Sequence, residues 1–134
     1  MTIEDTKYGM KRIVDLPLDE ADARMRAELK DQGFGILTEI DLSGTLREKI
    51  GADVRPYRIL GACNPPIAHQ AVTEELDIGL LLPCNVVVYQ GDDEETSVVG
   101  VLDPVVQLGV TGRDDITALA EDVRGRMRKA LAAI

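Results

Sequence analysis

The sequence predicts an α+β domain in two layers, a largely antiparallel five-stranded sheet with helices packed on one face. Three observations predict it. Residues 18–32 and 116–133 repeat apolar side chains at spacings of three and four, the period of an amphipathic helix. Apolar runs at 84–90 and 96–102 flank the polar, glycine-led segment Gly91-Asp92-Asp93-Glu94-Glu95, the pattern of a hairpin, so that part of the sheet is antiparallel. The remaining short apolar runs alternate with helical segments, and two long helices suffice to cover one face of such a sheet.

Taken in order, residues 1–6 are polar and are expected to fray. Residues 8–14 read as a first strand, stopped by Pro17. Leu18, Ala21, Met25 and Leu29 form the stripe of the first helix. Asp19, Glu20 and Asp22 suit the positive end of its dipole, and Gly33 suits a left-handed cap. Residues 34–40 read as a second strand, with Phe34, Ile36, Thr38 and Ile40 on one face. Asp41 or Ser43 caps a short helix over 44–50, where Leu46 and Ile50 pair. A third strand, 57–63, ends at Pro65-Pro66, which open a helical segment over 67–75. The Val86-Val87-Val88 run of the fourth strand does not alternate, as expected of a strand covered on both faces. The fifth strand stops at Asp103-Pro104, and a linker containing Gly109 and Gly112 leads to the last helix, capped by Asp114 or Asp115. Arg124, Arg126, Arg128 and Lys129 load the C-terminal half of that helix, where cations complement its dipole.

The 134 residues suit one domain, 1–134, with a core that must be aliphatic, since the chain has no Trp and one Phe. No apolar run is long enough to span a bilayer, and the first residues lack the features of a signal peptide, so a cytoplasmic location is expected. The net charge of −9 argues against nucleic-acid and anionic-membrane partners, both of which call for basic patches.

Four blocks resemble one known family. They are Gly33-Phe34-Gly35-Ile36-Leu37-Thr38-Glu39-Ile40-Asp41, the stretch from Tyr57 to Pro66, the stretch from Ile78 to Val88, and Asp103-Pro104. In sequence and order they resemble the bacterial and archaeal domain of unknown function 302 family, across nearly the whole chain. The resemblance implies a two-layer sandwich with an antiparallel-rich sheet, grouped with TATA-binding-protein-like folds. It also implies a homodimer, which a small domain with a limited core favours. It carries no activity, and the fold analogy to a DNA-bending protein carries no DNA binding.

The chemistry concentrates where both cysteines lie. Cys63-Asn64 and Cys84-Asn85 each stand where an apolar strand meets a proline-marked loop. If strands three and four are antiparallel neighbours, the two cysteines meet at one end of the sheet, within reach of a bridge or a shared metal. His69 is the one histidine, and Cys63, His69 and Cys84 form a ligand set for a soft or borderline ion such as Cu(I) or Zn(II). The helix opening after Pro66 would lower a nearby thiol pKa. Plainer readings stand beside these: core cysteines acting as small hydrophobes, an exposed helix histidine and turn-forming asparagines. Cys63 with His69 and Asp41 gives a Cys-nucleophile reading, and Glu39 with Asp41 an acid–base pair. Three functions follow: a domain binding a small ligand, a metal or a redox partner through Cys63, Asn64, Cys84 and Asn85; a structural or interaction homodimer with core cysteines; and a Cys-dependent enzyme.

Overall fold

The computed structural model describes residues 2–134. Six strands form one antiparallel sheet: β1 (Glu4–Asp5), β2 (Gly9–Val14), β3 (Gly35–Asp41), β4 (Tyr57–Cys63), β5 (Cys84–Gln90) and β6 (Ser97–Leu102). Their spatial order is β1-β2-β6-β5-β4-β3. The helices are α1 (Leu18–Asp31), α2 (Leu42–Ile50), α3 (Pro65–Glu74), α4 (Pro104–Gly109) and α5 (Asp114–Ala133), with a 3-10 turn at Leu76–Leu81.

The sheet has six strands rather than five. The added strand, β1, falls in the stretch expected to fray. It pairs Glu4 with Lys11 and Asp5 with Met10. Two polar residues have no hydrophobic period to announce them; backbone pairing with β2 and the ion pair of Asp5 with Arg128 hold them. The stretch read as a linker after Asp103 is helix α4.

The registers sort the side chains into two faces. Met10, Val14, Leu60, Ala62, Val86, Val88, Val99 and Val101 form one buried layer, and Ala21, Met25 and Leu29 of α1 pack on it with Val123, Met127 and Leu131 of α5. Both long helices therefore share one face. A second cluster joins Ala71, Ile78, Leu108, Ile116 and Ala120, linking α3, the 3-10 turn, α4 and the first turns of α5.

In β3 the expected alternation fails at Leu37. The register shifts between Ile36 and Thr38, a bulge that adds one residue. Ile36 lies opposite Ala62 and Glu39 opposite Leu60, so Thr38 and Ile40 move to the far face from Ile36.

The ends of α5 also differ from expectation. Its N-cap is Arg113, with no side-chain cap, and not Asp114 or Asp115. No basic residue lies in its last turn. Arg12 of β2 serves that end instead, donating from Nη1 to the carbonyls of Leu131 at 3.1 Å, Ala132 at 2.9 Å and Ile134. The basic run pairs with carboxylates: Arg124 with Asp103 at 3.0 Å, Arg126 with Asp122 at 3.3 Å, Arg128 with Asp5 at 2.8 Å.

One buried charge ties α1 to the sheet. The Asp22 carboxylate bonds Arg26 and, at 3.1 Å, Arg58 of β4, while Arg26 reaches Glu39 of β3 at 3.1 Å. Truncating Asp22 would leave two guanidinium groups short of a partner. Asp22→Ala is expected to cost about 3 kcal/mol. Asp19→Ala, at an exposed partner of Arg58, is expected to cost less than about 1 kcal/mol. Urea unfolding of the two variants checks the contrast.

Candidate functional site

Helix α3 begins where β4 ends, and the sequence fixes that corner. Asn64 is the N-cap: its side-chain oxygen accepts from the Ile67 N–H at 3.3 Å and its carbonyl from Ala68 N at 2.8 Å. Pro65 and Pro66 occupy the first turn, where a missing N–H costs nothing. The Asn64 carboxamide lies over Gly33, whose φ is +87°, and a Cβ there would come within 3.0 Å of Nδ2. A side chain at Gly33 would meet both a strained backbone and Asn64.

On the neighbouring strand, Pro83 sits over Gly61, where a Cβ would collide with Thr38 Oγ1 and lie 2.7 Å from Pro83 Cγ. Gln107 of α4 holds this segment, donating from Nε2 to the carbonyls of Leu81 and, at 3.2 Å, Pro83. Asp103 caps α4 through Val105 N at 2.9 Å and accepts from Arg124 Nε at 3.0 Å.

These elements line a half-open cavity of about 290 Å³. The sheet end contributes Phe34, Ala62, Cys63 and Cys84; α3 contributes Ile67, Ala68 and Ala71; Pro104, Gln107, Leu108, Leu119 and Val123 close it from α4 and α5. The lining is almost wholly apolar. Its amides, Asn64 and Gln107, are already engaged in capping α3 and holding the 82–83 segment.

Cys63, Asn64 and Cys84 thus come together at one cavity, while Asn85 and His69 do not. In register, Cys84 stands opposite Ala62, and Cys63 pairs with Gly35 on the other side. Successive residues of a strand present opposite faces, so the two cysteines are one residue out of step and face apart. Both are free thiols. Cys84 is buried, and its Sγ donates to the Leu102 carbonyl at 3.7 Å. Asn85 is exposed on the opposite face, across from Gly61. His69 is exposed on α3, where its carbonyl accepts from the Thr73 hydroxyl at 2.7 Å.

Among the described residues no three His, Cys, Asp or Glu side chains gather where they could hold a metal ion. The set of Cys63, His69 and Cys84 is therefore not assembled. Nor is the Cys63–His69–Asp41 arrangement: Asp41 pairs with Arg58 at the opposite end of β4 from Cys63, and its carboxylate caps α2 at Gly44 N, 3.0 Å away. Glu39 and Asp41 are likewise engaged separately, Glu39 with Arg26.

The electrostatics oppose thiolate chemistry. Desolvation pushes the Cys63 thiol above its ordinary value, the reverse of the lowering expected from the α3 N-terminus. Burial, reinforced by the Asp103 charge, pushes Cys84 up to about 12. Both thiols are protonated at neutral pH.

The missed contributors to the cavity are Phe34, Leu37, Thr38 and the α4 residues. Asp103-Pro104 was a legible signal for α4, since Asp at the N-cap and Pro in the first turn mark a helix start.

Comparison with known proteins fits this frame. The family described as domain of unknown function DUF302 matches residues 10–134. The chain belongs to the DUF302 family. A crystal structure of an uncharacterized conserved DUF302 protein from Bacillus stearothermophilus is similar, with a TM-score of 0.87 at 30% identity, covering 96% of this chain and 98% of that one. No curated protein matches the chain. No helix among the described residues is long and apolar enough to cross a membrane. The α+β fold and the antiparallel sheet are those expected of a DUF302 domain, with six strands where five were expected.

The thiol environment has a pH signature. The folded state holds the Cys84 proton to about 12, whereas the ordinary thiol value is 9.0. The stabilisation is fully present below pH 9 and is lost as pH rises toward 12, because the unfolded chain releases the proton first. Urea midpoints are expected to fall across that window, and Cys84→Ala is expected to flatten the fall. At neutral pH an alkylating reagent is expected to modify Cys63 slowly and Cys84 only on unfolding.

Proposed function

We propose that this domain binds a small, largely apolar molecule in the cavity between the sheet end and α3, α4 and α5. The observation that carries the reading is the lining: both cysteines and a ring of aliphatic side chains, with the nearby amides already engaged internally. Such a cavity offers water few partners and favours an apolar occupant. Its volume of about 290 Å³ is roughly twice that of the engineered cavity, about 150 Å³, that takes up benzene. The thiols supply polarisable, neutral contact surface. The pushed-up pKa values and the unassembled ligand set weigh against metal and redox roles for the same residues. The reading keeps the domain in the cytoplasm, where free thiols stay reduced.

The neutral fluorophore N-phenyl-1-naphthylamine tests it. Its emission is expected to rise on binding to the native protein. Ala68→Phe, which fills the cavity from α3, is expected to abolish the rise, and Asn85→Ala, on the far face, to leave it unchanged. Equal emission with Ala68→Phe, or stoichiometric copper or zinc in untagged protein, would overturn the apolar-ligand reading.

A second reading, a homodimer with Cys84 as a core residue, is favoured by β3. This seven-residue strand ends the sheet order and carries Leu37 at 66% and Ile40 at 45% exposure. An uncovered edge of that length is a template for pairing. Sedimentation at micromolar concentration is expected to give twice the monomer mass, and Ile40→Lys to return the monomer. A monomer at all concentrations would remove this reading.

A further inference from the structure

The helices cover one face of the sheet and leave the other open, and a groove of about 550 Å³ crosses that open face. It shares no residue with the cavity at the sheet end. All three tyrosines of the chain, Tyr8, Tyr57 and Tyr89, line it. Tyr57 and Tyr89 oppose each other on β4 and β5, their rings stacked with centroids 5.1 Å apart and planes within 2°. Tyr8 stands in the β1–β2 turn, which is fixed by the Gly9 N–H donating to the Thr6 hydroxyl at 3.0 Å. Between them lies Gly100, where a Cβ would come within 3.0 Å of Val87 Cγ2, so the floor stays flat only with glycine.

The charge of the groove is opposite to that of the molecule. Its charged lining residues are Lys7 and Lys11, with no carboxylate, on a chain of net charge −9. Glu4 approaches Lys11 Nζ at 3.8 Å, but both side chains are well exposed and such a pair is weak. Desolvation, with Tyr89 and Tyr8 adding to it, pushes the Tyr57 hydroxyl up, so it remains a neutral donor.

We propose that this groove binds a small planar aromatic anion, its ring against the tyrosines and the Gly100 floor and its charged group on Lys7 and Lys11. Aromatic faces and a flat floor accept a ring. Lys7 and Lys11, the latter only weakly paired with the exposed Glu4, accept a phosphate or carboxylate. A second copy of the chain fits less well, because a two-fold contact across this face would set lysines against lysines. An extended nucleic acid is opposed by the net charge. The site is independent of the apolar cavity and stands or falls separately from it.

The test follows the tyrosine ring resonances by NMR while AMP, adenosine and 1-naphthoate are titrated. AMP and 1-naphthoate are expected to shift all three tyrosines, with the tighter of the two distinguishing a phosphate from a carboxylate ligand. Adenosine is expected to bind about tenfold more weakly than AMP, the factor one charge-assisted contact contributes. The double variant Lys7→Gln, Lys11→Gln is expected to bring AMP down to the level of adenosine, and Ala68→Phe to leave AMP binding unchanged. The proposal is overturned if neither anion shifts the tyrosines at millimolar concentration. It is also overturned if AMP binds the double variant as it binds the native protein, or if the resonances move with protein concentration alone, which would give the face to a second copy.

Discussion

Asp103 is the joint on which both halves of the molecule depend. Its N–H donates to the Tyr8 carbonyl at 2.8 Å, extending the β2–β6 pairing by one bond. Its carboxylate caps α4 and accepts from Arg124 of α5. One residue thus ends the sheet, starts the short helix and anchors the long one. Pro104, Gln107 and Leu108 reach the cavity because α4 starts at this point, and Gln107 then holds Leu81 and Pro83. The Asp103 charge also adds to the raised proton affinity of Cys84, whose Sγ bonds the adjacent Leu102 carbonyl.

The division into two apolar clusters explains why a cavity forms there. The main cluster is a regular layer, strands below and two helices above, and such layers interdigitate well. The second cluster is assembled from short pieces, α3, the 3-10 turn and α4, around the first turns of α5. Short helices turn sharply and present small side chains, among them Ala68 and Ala71. The seam between the two clusters is filled on the sheet side by Ala62 and the cysteines, which are also small. Little side-chain volume meets in the seam, and space remains.

Much of the fold was legible because its period was legible. The stripe of Leu18, Ala21, Met25 and Leu29 and that of Ile116, Ala120, Val123 and Met127 lie where periodicity places them. The valines of β5 are covered less evenly than their run implies: Val86 and Val88 are buried under the helices, and Val87 lies half-buried on the open face. What could not be read is what depends on register. Whether Cys63 and Cys84 face together turns on a single residue of offset, Ala62 rather than Cys63 standing opposite Cys84. The same parity sends Asn85 to the open face and breaks the symmetry of the two Cys-Asn pairs. The bulge at Leu37 reverses the later half of β3 for the same reason. The tyrosine groove needed β2 to lie beside β6 and β5 beside β4, pairings that distant segments make only in the folded chain.

That strand order governs how the chain assembles. Beyond the short β1, strand β2 finds its partner in β6, pairing Gly9 with Leu102 and Val14 with Ser97. The Arg12 guanidinium and the carbonyls at the end of α5 meet only once that helix exists. During synthesis β1, β2 and α1 emerge first and β3 to β6 follow, with the apolar face of the sheet only partly covered until α5 arrives. Closing contacts between distant segments is slow, since chain entropy must be lost before they form. Deletion of α5 therefore removes the partner of the layer and the carbonyls that hold Arg12 of β2 together, and the nascent chain stays exposed to aggregation until that helix arrives.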